Sequence, residues 1–222
     1  MTNDEIKEQL SSKQSSKRLS ATKRISKEKI TKLADELFSA YTKEKQDKRT
    51  WEPQSEMIKS LGLLDFKPAL PDIKSIVNKN IPHDMITINA ATSYVQLKRQ
   101  SVYDGQPVLE LLNFGSTSVI CGALQVLAID KMIPSSDEIK EIIKISWDIN
   151  KHKDRIGHEF GFIDPRVYLA IACAGWDKLL TTSFLNHCID TAFNIDSFGK
   201  TIENVQLANA CQKSLKGIYS KF

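Results

Sequence analysis

Apolar residues recur three and four positions apart along most of this chain, which is the spacing that places them on one face of an α-helix. Two stretches show the pattern clearly. "KLADELFSAY" and "EIKEIIKISWDI" carry the stripes Leu33, Leu37, Ala40, Tyr41 and Ile139, Ile142, Ile143, Trp147, Ile149. The strict alternation typical of β-strands is scarce. The pattern therefore predicts an all-α fold with about ten to twelve helices of ordinary length.

Helix starts are marked by short polar residues that can accept hydrogen bonds from the first free backbone N–H groups. "SSDEIKEII" has serines and acids before an apolar run, which is typical of a capped helix. Asp84 has the same position in "NIPHDM". In "DPRVYLAIA" we expect Asp164 to be the N-cap and Pro165 the first helical residue.

Similar apolar helices with a small residue at the centre recur along the chain. The spacings between the central residues are 36, 34, 32, 49 and 39 positions, and Met57 is a variant with a larger side chain. The central residues are Ala21, Met57, Ala91, Ala123, Ala172 and Cys211. Most of these spacings are close to the length of a two-helix repeat, and the longest one indicates an insertion. Small side chains at such positions allow two helices to approach closely.

The segment "SLGLLDFKPALPDIKSIVNKNIPHDMITINAATSYVQL", residues 60–97, resembles a HEAT repeat over its whole length. One helix ends at Leu61-Gly62, a second follows from "PALPDIKSIV", and the Ala90-Ala91 pair of the next helix matches the small site of that family. The resemblance implies a right-handed α-solenoid of about five to six HEAT-like helical hairpins. It extends over residues 1–222 as a single repeat domain, with an insertion near 150–163.

The stretch "SSKRLSATKRIS" at residues 15–26 is predicted to be the first helix of this series. At 100° per residue its apolar positions cover one arc, and the basic residues Lys17, Lys23, Arg24 and Lys27 fall on the opposite arc. Arg18 is the exception, because it lies on the apolar side. The resemblance implies that Arg18 is a packing and hydrogen-bonding residue. The basic arc is either solvated surface or a site for nucleic acid or another anion.

The composition excludes few classes of function. The net charge is +4, and residues 1–50 carry an excess of five basic residues over acidic ones. This asymmetry favours an anionic partner weakly. No apolar run is long enough to span a bilayer, so we expect no membrane association and a cytoplasmic location. Four well-separated cysteines without a CxxC pair predict buried free thiols.

Candidate catalytic chemistry is sparse. The sequence has no phosphate-binding glycine loop, nucleophile elbow or metalloprotease helix. His152 and His158 have five residues between them, which is not the i, i+4 spacing of a helical pair of metal ligands, and His187 beside Cys188 points away from it on a helix. We therefore expect no catalytic residue, no metal and no cofactor.

The three tryptophans are expected to pack in the core, Trp51 over the first seam between repeats and Trp176 between layers. Trp147 with Asp148 allows an alternative. Small HEAT-like DNA glycosylases that remove alkylated bases use tryptophans and an aspartate, so the resemblance leaves that activity open. The insertion "NKHKDRIGHEFGFIDP" presents Phe160 and Phe162, which either pack on the core or contact a partner.

These observations predict a non-enzymatic scaffold that binds macromolecules, most simply an adaptor between proteins. Nucleic-acid binding through the basic N-terminal repeats is the alternative.

Overall fold

The computed structural model describes residues 2–147, 164–195 and 201–220, and those residues are predominantly helical. Twelve α-helices lie within them. The first six are α1 (Asn3–Leu10), α2 (Ser15–Glu28), α3 (Ala34–Glu44), α4 (Trp51–Leu63), α5 (Leu70–Lys79) and α6 (Met85–Lys98). The last six are α7 (Gln106–Phe114), α8 (Thr117–Ile129), α9 (Ser136–Trp147), α10 (Arg166–Ala172), α11 (Lys178–Thr191) and α12 (Val205–Leu215). The predicted all-α class and helix number are confirmed.

The even-numbered helices from α2 to α12 contact one another in chain order, each touching the one before and the one after. The odd-numbered helices flank this row, and α3, α5, α7 and α11 each pack on the even-numbered helix that follows them. Within the row, Ser55 of α4 contacts Asn89 of α6 and Ile58 contacts Ser93. Because the partner number rises along both helices, α4 and α6 run parallel.

The central residues found in the sequence mark the contact line of this row. All six are completely buried, and they lie on the six row helices at Ala21, Met57, Ala91, Ala123, Ala172 and Cys211. Two glycines show how close the helices are. A Cβ atom added at Gly122 of α8 would lie 2.2 Å from the carbonyl oxygen of Ile88 in α6, and one added at Gly62 of α4 would lie 2.5 Å from Ser93 Oγ. No larger residue fits at either position without moving a neighbour.

The predicted helix starts are correct at two of three places. Asp84 accepts a hydrogen bond from Thr87 N at 2.8 Å, and Ser135 and Glu138 form a reciprocal capping box before α9. At α10 the prediction is wrong by one residue. The helix begins at Arg166 with Pro165 as N-cap, and Asp164 accepts from Arg166 N.

One feature of the fold has no counterpart in the sequence pattern. Phe193–Ile195 and Thr201–Glu203 form a short antiparallel strand pair, β1 and β2, with Phe193 opposite Glu203. Three-residue strands are too short for an alternating pattern to be recognised.

Candidate partner-binding surface

Arg18 is a largely buried side chain that links α2 to α3. Its guanidinium forms an ion pair with Glu44, with Nη2 donating to Oε1 at 2.8 Å, and Nη1 donates to Ser12 O at 2.6 Å. The side chain of Glu44 is 1% exposed. The hydrogen bond to Glu44 raises the pKa of Arg18. Arg18 lies on the apolar side and forms hydrogen bonds, as expected, but its contacts are with α3 and the segment before α2 and not with a later hairpin.

The predicted basic arc faces away from this interior. Lys17, Lys23 and Lys27 are exposed and Arg24 is half-buried. Two of the four charges are paired with acids, Lys23 with Glu52 at 3.2 Å and Arg24 with Glu28 at 2.9 Å. The structure therefore brings carboxylates of α2 and α4 onto the same surface, which halves the charge that an anionic partner would meet.

Further along the row, polar side chains line the contacts between α4, α6 and α8. Asn89 donates to Ser55 Oγ at 2.7 Å, and Thr92 Oγ1 donates to Gly122 O at 3.1 Å. Gln96 donates to Asp130 at 3.0 Å. These groups bind one another across adjacent helices, so this strip stabilises the row and offers few free hydrogen-bonding groups.

The helices α4, α6 and α8 begin at one common edge of the molecule. Ser55 Oγ donates to Met85 O at 3.3 Å, and Ser118 Oγ accepts from Asp84 N at 2.8 Å. Asn80 joins the two loops that precede α6 and α8. It donates to Phe114 O at 3.2 Å and accepts from Ser116 N at 2.6 Å.

Four large apolar side chains are exposed along this edge, and we name them the apolar ridge. Trp51 is 54% exposed, Ile81 47%, Met85 44% and Phe114 42%. Trp51 and Met85 are each the first residue of a row helix, 34 positions apart. The expectation that Trp51 packs over the first seam is wrong. Trp51 is the first residue of α4 and remains exposed there.

The apolar periodicity of the sequence did not identify the ridge, although the matching positions of Trp51 and Met85 in their helices could have indicated it. Trp51 and Met85 are the first residues of two parallel, adjacent helices of the row, so they lie at the same edge of the molecule. Ile81 and Phe114 lie in or next to loops, where helical periodicity gives no information about burial.

The other tryptophans have structural contacts. Trp176 is 5% exposed, and its Nε1 donates to Met132 O at 2.8 Å, as expected for a residue between layers. Trp147 is half-buried and stacks on His187 with ring centroids 4.8 Å apart. The face of the Trp147 ring that stacks on His187 is therefore not available to a ligand. Asp148, Phe160 and Phe162, together with His152 and His158, lie outside the described residues.

A cleft of about 300 Å³ between α1, α2 and α3 is lined by charged side chains. Its charges are largely paired internally, Arg18 with Glu44 and Lys7 with Glu36. Hydrogen bonds from the Arg49 side chain hold the pKa of Asp47 at about 2. These ion pairs hold the N-terminal helices together and leave few unpaired charged groups that a ligand could bind.

The four thiols are free and buried, as predicted. Burial raises the pKa of the Cys121 thiol to about 12 and raises that of Cys173 as well. A hydrogen bond with Cys188, together with burial, raises the pKa of Cys211. Protonated, enclosed thiols are poor nucleophiles. Among the described residues no group of three or more His, Cys, Asp or Glu side chains could hold a metal ion, and no helix could cross a membrane.

Comparison of the chain with family models, with curated proteins and with solved structures finds no match.

Proposed function

We propose that this chain is a right-handed HEAT-like α-solenoid, a single repeat domain that acts as a non-enzymatic adaptor between proteins. The row of helices in chain order, the buried central residues and the side-chain contacts between positions 30 to 36 apart support the repeat architecture. A cytoplasmic location fits four free buried cysteines.

The apolar ridge is the observation that carries the protein-binding function. Large exposed apolar side chains grouped on one edge are typical of protein interaction sites, and aromatic residues and methionine are enriched at such sites. Nucleic-acid binding relies instead on a field of unpaired basic side chains. On the predicted basic arc, Glu52 and Glu28 neutralise Lys23 and Arg24, which favours a protein partner over a nucleic acid.

The function is tested by affinity capture from the native host with the full-length chain as bait. The lysate is divided, and one half is treated with nuclease. We expect the same proteins to be captured from both halves. In parallel, duplex DNA and single-stranded RNA are titrated against the chain at 50 and 200 mM salt, and we expect weak binding to both.

Capture that disappears after nuclease treatment would contradict the adaptor function. So would tight DNA binding that falls steeply with salt and is lost when Lys17 and Lys27 are changed to Glu. Release of a methylated base from duplex DNA would establish the glycosylase alternative directly.

A further inference from the structure

We propose that the apolar ridge, with two lysines beside it, binds one acidic amphipathic helix of a partner protein. This inference rests on the proposed adaptor function and specifies the partner's chemistry and the side chains that recognise it.

The ridge residues lie on α4, α6 and α7 and in the loop between α5 and α6. Trp51 lies one helical turn before Ser55, on the same face of α4, and Ser55 Oγ bonds the backbone of Met85. Ile81 follows Asn80, whose side chain bonds the backbone on both sides of the Phe114–Ser116 loop. These hydrogen bonds hold together the backbone segments that carry the four apolar side chains.

The length of the ridge suits a helix. Packed helices are about 8–10 Å apart, so the starts of α4 and α8 are separated by roughly 20 Å. An α-helix rises about 1.5 Å per residue and covers this distance with about 13 residues. An apolar stripe at positions i, i+4, i+7 and i+11 of such a helix would contact Trp51, Met85, Ile81 and Phe114.

Charge beside the ridge selects an acidic partner. Lys48 before α4 and Lys79 at the end of α5 are exposed, and neither forms an ion pair with another described residue.

The nearby carboxylates are already engaged. Asp47 binds Arg49, Glu52 binds Lys23, and Asp84 caps α6. The unpaired charge at this edge is therefore positive, and it complements acidic residues on either side of the partner's apolar stripe.

The test uses a displayed library of random 16-residue peptides, selected against the full-length chain at 150 mM salt. We expect the enriched peptides to be net acidic, with apolar residues at helical spacing. A synthetic peptide of the enriched sequence should gain helicity on binding. Affinity should fall at least tenfold for the double variant Trp51→Ser, Met85→Ser. It should fall several-fold for Lys48→Glu with Lys79→Glu, and this loss should shrink at high salt.

Leu179→Ser is the matched control, because Leu179 is 92% exposed on α11, away from the ridge. This variant should bind the peptide like the unmodified chain. All variants replace exposed side chains, so their circular dichroism spectra and thermal midpoints should match the unmodified chain. That comparison separates lost binding from lost folding.

Three outcomes would overturn the inference. Enriched peptides that are basic, or that bind the ridge variants undiminished, would place the partner elsewhere. Self-association of the chain through Trp51 and Met85 in sedimentation experiments would make a second copy the occupant. Loss of nucleic-acid binding instead of peptide binding in the ridge variants would show that the ridge is not a peptide site. In the first case, nuclease-resistant capture of proteins would still support the adaptor function.

Discussion

At the scale of single residues, burial determines how much an ion pair contributes to the stability of the fold. The Arg18–Glu44 pair and the Lys23–Glu52 pair both join α2 to a later helix, yet only the first is enclosed. A buried carboxylate that loses its partner keeps the cost of desolvation, whereas an exposed carboxylate is solvated by water.

We expect Arg18→Ala to lower the free energy of unfolding by about 3–5 kcal/mol, because Glu44 would remain buried without its ion pair. Urea unfolding followed by circular dichroism measures the change. Lys23→Ala removes an exposed pair of similar sequence separation and should cost less than about 1 kcal/mol. Equal losses for the two variants would show that Glu44 is not enclosed.

Thiol labelling tests the buried cysteines. At pH 8 the native chain should react slowly with a thiol reagent, and four thiols should react at once after unfolding, because burial raises the pKa of Cys121 to about 12. A thiol pKa raised only in the folded chain stabilises it fully below about pH 8.5, the value for a free thiol. This contribution is lost as pH rises toward 12. Rapid labelling of the native chain at pH 8 would contradict the burial.

At the scale of elements, close helix contact is what the small residues provide. Glycine at position 122 lets α8 approach the backbone of α6, and the hydrogen bond from Thr92 to Gly122 O crosses the same contact. A side chain there pushes against backbone, which moves only if the two helices separate.

Gly122→Ala should therefore destabilise the chain by about 1–3 kcal/mol despite the better helix propensity of alanine. Gly175→Ala is the control. A Cβ atom there meets the end of the Tyr219 side chain, which can swing away, so the cost should be smaller. Thermal unfolding of both variants gives the comparison. A neutral Gly122→Ala would mean that α6 and α8 are further apart than this fold has them.

At the scale of the whole molecule, the proposed solenoid predicts an elongated particle. A compact globular domain of 222 residues would have a radius of gyration near 17 Å. Six stacked layers of helices about 10 Å apart give a longer body, with a radius of gyration of roughly 20 Å. Small-angle X-ray scattering from the monomer distinguishes the two values. A radius near 17 Å would argue for a globular bundle and against stacking.

Helical periodicity in the sequence determined much of this fold, because a helix that packs on one side must repeat its apolar residues every three or four positions. The same regularity gave the six central residues, from Ala21 to Cys211, and the inward role of Arg18. These features depend on contacts within one helix, or between adjacent helices that follow each other at a nearly constant number of residues. They can therefore be recognised in the amino-acid sequence.

Only the tertiary structure decided how the surface is arranged. Trp51 and Met85 are apolar in the sequence like any core residue, and they become part of a ridge because α4 and α6 begin at one edge and leave both side chains exposed there. Lys23 belongs to a basic stretch, and its charge is neutralised because folding places Glu52 of α4 beside it. Exposure and charge pairing depend on what lies across the surface, and a pattern along one helix carries no information about that.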